Sequence, residues 1–294
     1  MTSIAVVAHA RKKLGGGLVE LRRVLADAGF EDPVWFEVPK SKFAPDCVRE
    51  AIDGGADLIF VWGGDGIVQR CIDAVGDAPV VLAILPAGTG NLLARNLDIP
   101  IDLAQAVDVG LNGAHRTIDV GRVNGERFAV MAGVGFDARV IRDATKKLKQ
   151  RYGRAAYIWA ATKNLRMNLF DARIDVDGST WYEGEASVIL FGNVGQAFAG
   201  LEVFDDAQTD DGLLEVGVGN PEGILQWGRI FARSKFSSTS KSPFVHLTKG
   251  RSVEVTLPRK VLYELDGGRR TKKKTFRVEA EPAAMSICVP TKAV

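Results

Sequence analysis

The sequence predicts an α/β N-terminal domain, a doubly wound, flavodoxin-like layer, followed by a mostly antiparallel β-sandwich domain. Three observations carry this. Between Ile4 and Leu111, short apolar runs alternate with segments of helical periodicity. Two of those runs, Leu58–Trp62 and Val80–Leu85, end in glycine turns, Gly63-Gly64-Asp65-Gly66 and Gly88-Thr89-Gly90. From Arg116 onward, short alternating strands with turn residues between them replace the helices. The expected domains are therefore residues 1–117 and 118–294, with the last strand free to return to the first domain.

Ile4–Ala8 reads as the first strand and Leu18–Ala28 as its helix, with Leu18, Leu21, Leu25 and Ala28 on one face and Gly29 as the stop. The turn between them, His9–Gly17, is basic and glycine-rich, so Lys12 and Lys13 stand either against phosphates or in solvent. Val34–Val38 is the second strand, and Pro45–Ile52 its helix, with proline in the first turn. Leu58–Trp62 and Val80–Leu85 lack polar alternation and read as parallel strands buried on both faces, with helix Ile67–Val75 between them. Leu103–Leu111 is a further helix, closed near Gly113. The second domain's strands are expected at Arg116–Val120, Arg127–Gly133, Ala172–Val176, Trp181–Phe191, Leu213–Val218, Ser252–Leu257, Val261–Leu265, Thr275–Val278 and Met285–Val289. Asp143–Leu169, basic first and aromatic in the middle, is a helix suited to a core or to a membrane interface, and Ser234–Ser242 is a Lys/Ser-rich loop.

At 294 residues, with 46% hydrophobic and 25% charged, the chain is long for one core and ordinary for a globular protein. A net charge of +2 gives no case for a nucleic-acid partner. Cys47, Cys71 and Cys288 lack CxxC spacing, which fits small buried hydrophobes in a reducing compartment rather than a zinc site or a disulfide framework. The apolar run in MTSIAVVAHARKK has its basic residues after it, which is the pattern of a first strand and not of a signal peptide. No run reaches the ~18 apolar residues of a membrane span. A cytoplasmic location is expected, with any membrane contact peripheral at the inner face.

In open α/β sheets ligands bind beyond the carboxyl ends of the strands, where both glycine turns lie. Glycine lets backbone approach an anion closely, and the N–H groups of the next helix point at it, so a phosphate-binding crevice is expected. Neither turn is a Walker A loop or a GxGxxG fingerprint. Asp65 either caps the helix that follows or, flanked by glycines, meets a ligand. Thr89 and Asn91 are donors sized for phosphate or ribose, and Asn91 is equally a helix cap.

GGDG at 63–66, LPAGTGNLLARNLDIP at 85–100, GVGFDARV at 133–140, LFGNVGQAFAG at 190–200, DDGLLEV at 210–216 and ELDGG at 264–268 stand in one order along nearly the whole chain. Together they resemble the catalytic domain of the diacylglycerol and sphingosine kinase family. The resemblance implies phosphoryl transfer from ATP, with Mg²⁺, to a lipid hydroxyl held in the cleft between domains. It implies that Gly63, Gly64, Asp65, Gly66, Gly88, Thr89 and Asn91, with Lys12, face the nucleotide. Asp65 would hold the water shell of Mg²⁺ or receive the acceptor proton, and Asp119 would join the magnesium network. Asp211, with a backbone carbonyl at Leu213, would form a separate cation site, where an Asx turn at Asp210-Asp211-Gly212 is the other reading.

Several positions depart from the family pattern, Gln69 and Arg70 after the first glycine turn among them. His9-Ala10 replaces Asn-Pro, Ile67 replaces a hydroxyl residue, and Gly268 replaces the glutamate expected as general base, which leaves Asp65 or Glu264 for that role. Two other readings stay open: a nucleotide- or lipid-binding member without catalysis, and a kinase of a soluble acceptor such as NAD. A homodimer is also open.

Overall fold

β-Branched runs become buried strands where helices cover both faces of the sheet, and alternating runs become antiparallel strands with one wet face. The chain uses both devices. A computed structural model describes residues 3–135, 169–196, 202–220 and 245–291. The expected helix at 143–169, its basic half included, lies outside the described residues except for Leu169, and so does the Lys/Ser-rich loop at 234–242. The contacts divide the chain into Met1–Val120 with Pro282–Val294, and Gly121–Glu281.

In the first unit, β1 (Ile4–His9), β2 (Val34–Val38), β3 (Leu58–Gly63) and β4 (Val81–Pro86) are parallel. The helices are α1 (Gly17–Asp27), α2 (Ala44–Asp53), α3 (Asp65–Val75), α4 (Leu92–Asn96) and α5 (Leu103–Asn112). Leu21 and Leu25 of α1 and Ala106 and Val107 of α5 pack with Val6, Phe60 and Trp62 on one face of the sheet. Strand alternation turns Val7, Ile59 and Val61 to the other face, where α2 and α3 pack together. A methyl group on Gly110 would lie 2.3 Å from the Phe60 ring, so glycine lets α5 sit close on β3. The strand order 2-1-3-4 reverses between β1 and β3, which is where an open α/β sheet opens a crevice.

β5 (Ala114–Val123) leads into the second unit. There β6 (Glu126–Phe128), β7 (Met131–Val134), β8 (Phe170–Val176), β9 (Ser179–Ala186), β10 (Val188–Gly192), β11 (Leu214–Gly219), β12 (Val245–Gly250), β13 (Ser252–Leu265) and β14 (Gly268–Val289) follow. The antiparallel path runs β12-β11-β10-β7-β13-β14, and β8 with β9 joins the first half of β13. Phe128, Ile174, Phe191, Val216, Leu265 and Phe276 lie in its core. The end of β14 returns to the first unit and pairs in parallel with β4 through Ser286–Val81 and Ile287–Leu82.

Side chains that hold backbone account for the departures from the expected strands. The expected strand 127–133 breaks at Ala129–Val130, because the Asp266 carboxylate accepts the N–H groups of Ala129, Val130 and Met131 at 2.8, 2.9 and 2.8 Å. Asp266 and Gly267, at φ 45° and 74°, form a two-residue hairpin turn with both residues at positive φ, a geometry that Asp-Gly favours. The expected strand 181–191 breaks at Ser187, whose N–H and hydroxyl both donate to the Gly219 carbonyl. The expected strands 252–257 and 261–265 are one strand, β13, with an irregular register between Thr256 and Tyr263 that includes Pro258. The expected strands 275–278 and 285–289 are likewise one strand, β14. α4 and β12 were not foreseen, because five residues carry no readable period and His246, Thr248 and Lys249 dilute the apolar signal.

Replacing Asp266 by alanine leaves three buried N–H groups without their carboxylate, and unfolding free energy should fall by about 3 kcal/mol or more. Urea denaturation followed by tryptophan fluorescence reads this; Asp266→Asn, which keeps one acceptor oxygen, should lose less.

Candidate active site

Both glycine turns leave the carboxyl end of the parallel sheet, one after β3 and one after β4. They touch through backbone. A methyl group on Gly64 would lie 2.9 Å from Gly88 Cα, and one on Gly88 would lie 2.5 Å from Gly64 Cα. None of Gly63, Gly64, Gly66, Gly88 and Gly90 has positive φ, so close approach rather than backbone conformation calls for glycine at 64 and 88. The Ala87 N–H donates to the Gly63 carbonyl at 2.6 Å, fastening one turn to the other.

Asn91 shapes the second turn from within. It sits in the left-handed region at φ 49°, and its side chain accepts the Gly88 N–H at 2.8 Å and donates to the Gly88 carbonyl at 3.2 Å. It does not cap α4. That role falls to Asp65 across the junction, whose Oδ1 accepts the Leu92 N–H at 2.5 Å, with the Asn91 and Leu93 N–H groups also turned to it. Nor does Asp65 cap its own helix, since the residue before α3 is Gly64. Burial pushes the Asp65 carboxyl up, and the N–H groups of the second turn only partly oppose it. An acid raised by folding contributes stability at pH below its unfolded value and loses it as pH rises through the folded one. Ionised Asp65 therefore costs the fold something at neutral pH.

Ile67 packs over Gly63, and a methyl group there would meet Ile67 Cγ2 at 2.2 Å. It is buried at 1% exposure, a core residue rather than a vacated ligand contact. What stays open is Gly66, which is exposed and whose missing methyl would find only Ser41 Oγ, at 3.9 Å. Thr89 is exposed at the tip of the second turn. His9 ends β1 beside Gly63, with 3.6 Å between its Cβ and a methyl on that glycine. Burial and then Lys12 lower its pKa, so the imidazole is neutral at pH 7, with Nδ1 accepting the Arg11 N–H. Lys12 is half-buried in the same turn. The switch-point edge thus gathers the phosphate-facing residues expected from sequence.

Of the other expected ligands, Asp119 and Glu264 are buried on strands and Asp211 is engaged within its loop. Asp119 is buried in β5, and its Oδ1 accepts the N–H of Ala283, a residue at φ 52° where β14 bends. Glu264 is buried on β13, between Gly133 of β7 and Arg269 of β14. Among the described residues, no three His, Cys, Asp or Glu side chains gather as a metal set.

The Asp211 loop does not fit a divalent cation as it stands. Its place is held by the Lys249 ammonium, 2.8 Å from Glu215 Oε1, 2.9 Å from the Asp206 carbonyl and 3.6 Å from Asp211 Oδ2. Asp211 Oδ1 accepts the Leu213 N–H at 3.0 Å, so Leu213 enters as a donor and the Asx-turn reading holds. Burial pulls Lys249 down, but Glu215 and Asp211 outweigh it and the pKa is raised. Glu215 is raised as well, burial outweighing its lysine.

At Gly268 a methyl group would lie 2.6 Å from Arg270 Nη1 and 3.1 Å from the Leu265 carbonyl. The Arg270 guanidinium donates to the Gly268 carbonyl and grips Glu126 with two nitrogens, Nε lying 2.7 Å from Oε2. An arginine–glutamate pair therefore fills the space beside Gly268 into which a longer side chain would project. No sequence signal marks that pair or Lys249, because each joins residues far apart in the chain.

Residues 9–123 match the diacylglycerol kinase catalytic domain, and residues 130–289 match the YegS C-terminal NAD kinase beta sandwich-like domain. A protein named "Probable lipid kinase YegS-like" from Pectobacterium atrosepticum is 31% identical over 83% of this chain and 81% of its own length, and one of the same name from Klebsiella pneumoniae is 32% identical over 83% of each. The chain belongs to the diacylglycerol kinase-like lipid kinases. A diacylglycerol kinase from Staphylococcus saprophyticus is 28% identical over 83% of this lipid kinase and 80% of its own length. In fold, the lipid kinase is similar to a diacylglycerol kinase from Bacillus anthracis, with TM-score 0.77, 20% identity and coverage of 99% and 98%. An NAD kinase from Archaeoglobus fulgidus solved with ATP shares the fold at TM-score 0.53 and 12% identity, over 98% of this chain and 94% of that one. Among the described residues no helix is long and apolar enough to cross a membrane.

Three outcomes follow from this geometry. Asp65→Asn should be at least as stable as wild type at pH 7, because the amide still accepts from Leu92 while the buried charge is gone; thermal melts between pH 4 and 8 check the sign. Gly88→Ala should push the turns apart and weaken ATP binding together with stability, whereas Gly66→Ala should stabilise α3 by about 0.5–1 kcal/mol and weaken ATP binding alone, as calorimetry would separate. Lys249→Met should melt lower in EDTA and recover in Ca²⁺, and wild type should melt alike in both; stabilisation of wild type by Ca²⁺ would show that Lys249 is not the resident cation.

Proposed function

We propose that this lipid kinase transfers the γ-phosphoryl group of ATP, with Mg²⁺, to the hydroxyl of a diacylglycerol-like or sphingosine-like lipid. One observation carries the reading. Two glycine turns are locked together at the switch point of the sheet, and a carboxylate that costs stability spans the junction between them. Phosphoryl transfer asks a protein chiefly to position phosphates, neutralise their charge and orient the acceptor.

Within this reading, the N-terminus of α3 at Gly66 faces the phosphates, because its N–H groups point outward and no methyl fills the space. The Thr89 hydroxyl and Lys12 complete that face. Mg²⁺ bound with phosphate oxygens needs only one or two protein carboxylates, and Asp65 is the one presented here. When bound, the ion supplies charge neutralisation on the phosphates. Asp65 is also assigned the acceptor's proton, since burial raises its affinity for one. Asp119, committed to Ala283, is assigned a positioning role, and Glu264 is the second candidate base.

Labelled-ATP transfer to short-chain diacylglycerol, sphingosine and NAD tests the assignment. Transfer to the lipids and not to NAD is expected, with Asp65→Asn inactive; transfer to NAD alone would overturn it. Gly268→Glu should leave kcat at or below wild type, because the new side chain meets Arg270 and parts it from Glu126. A rise on the order of 10²-fold would instead mean that a base was missing.

A further inference from the structure

We propose that the lysines at the middle of the β13–β14 ribbon, Lys260, Lys272, Lys273 and Lys274, dock the chain on an anionic lipid surface. The proposal rests on the reading of a lipid acceptor, which lies in a bilayer. Along β14 the pattern of burial changes at Phe276. Phe276 and Val278 face the core of the second unit, but every residue from Thr271 to Thr275 is exposed, so both faces of the strand are wet there. Successive residues of a strand point to opposite sides, and Lys272, Lys273 and Lys274 therefore present charge on both. On β13 the stretch Pro258–Lys260 is also exposed, and the register irregularity after Thr256 places Lys260 next to Val261, the partner of Lys273.

Charge bookkeeping separates these four from their neighbours. Arg277 is 3.5 Å from Glu254 and Arg270 is held by Glu126, whereas Lys260, Lys272, Lys273 and Lys274 have no ion pair among the described residues. Like charges on adjacent positions of paired strands repel and destabilise the ribbon. Such a cluster is relieved by an external anion, and lysines near an anionic bilayer contribute about 1 kcal/mol each, or roughly fivefold in partitioning. Lysines on an exposed strand also deter edge-to-edge aggregation, and the test has to tell the two roles apart.

The full chain is sedimented with vesicles of phosphatidylcholine alone and of phosphatidylcholine with phosphatidylglycerol. Wild type should bind the anionic vesicles and release with salt. Lys273→Gln should weaken partitioning roughly fivefold, and the triple variant K272Q/K273Q/K274Q roughly a hundredfold, with unchanged transfer to monomeric short-chain diacylglycerol. Equal binding to both vesicle types, or binding to anionic vesicles that the triple variant retains, would overturn the proposal. So would variant aggregation without loss of vesicle binding, or tighter binding to duplex DNA than to the anionic vesicles. Vesicle binding that depends on these lysines, without transfer to the short-chain lipid, would support the surface and sink the acceptor assignment instead.

Discussion

The backbone contact between Gly64 and Gly88 is the constraint on which the site depends. At 2.5–2.9 Å from an added methyl group to the opposite Cα, neither position has room for a side chain. Once the turns are that close, the Asp65 carboxylate reaches the Leu92 N–H across the junction, and the Asn91 side chain has only the Gly88 peptide to satisfy. The start of one helix is thus capped from the turn that opens another. Motion of either turn would break hydrogen bonds in both, so each turn fixes the other.

Carboxylates do two kinds of work in this chain. Asp266 holds three N–H groups, Asp119 holds the bend at Ala283, and Asp211 holds the Leu213 N–H while facing Lys249. Each is spent on backbone geometry, where a fixed negative charge satisfies donors that would otherwise be buried alone. In Asp65, burial raises the carboxyl pKa despite the N–H groups around it. A group retained at a cost to stability is where function is expected to outweigh folding.

Likeness in fold does not choose the acceptor. The ATP-bound NAD kinase and the Bacillus anthracis diacylglycerol kinase both share this architecture with the chain. Membership of the lipid kinases comes instead from sequence matched over most of the chain, at residues 9–123 and 130–289.

By itself the sequence determined the alternating α/β order, the strands at 4–8, 34–38 and 58–62, two of which the structure extends by one residue, and the two glycine turns, because burial on both faces and helical period are local patterns. The motifs also determined the family. Tertiary structure alone decided why the glycines are there: the sequence reads Gly64 and Gly88 as room for a phosphate, yet each makes room for the other turn. It alone showed that Ile67 covers Gly63, that Asp65 caps a helix 27 residues away, that Lys249 fills the Asp211 loop and that Arg270 with Glu126 occupies the space beside Gly268. Each of these joins residues distant in the chain, and a pairing of that kind depends on which strands become neighbours, which no local pattern encodes.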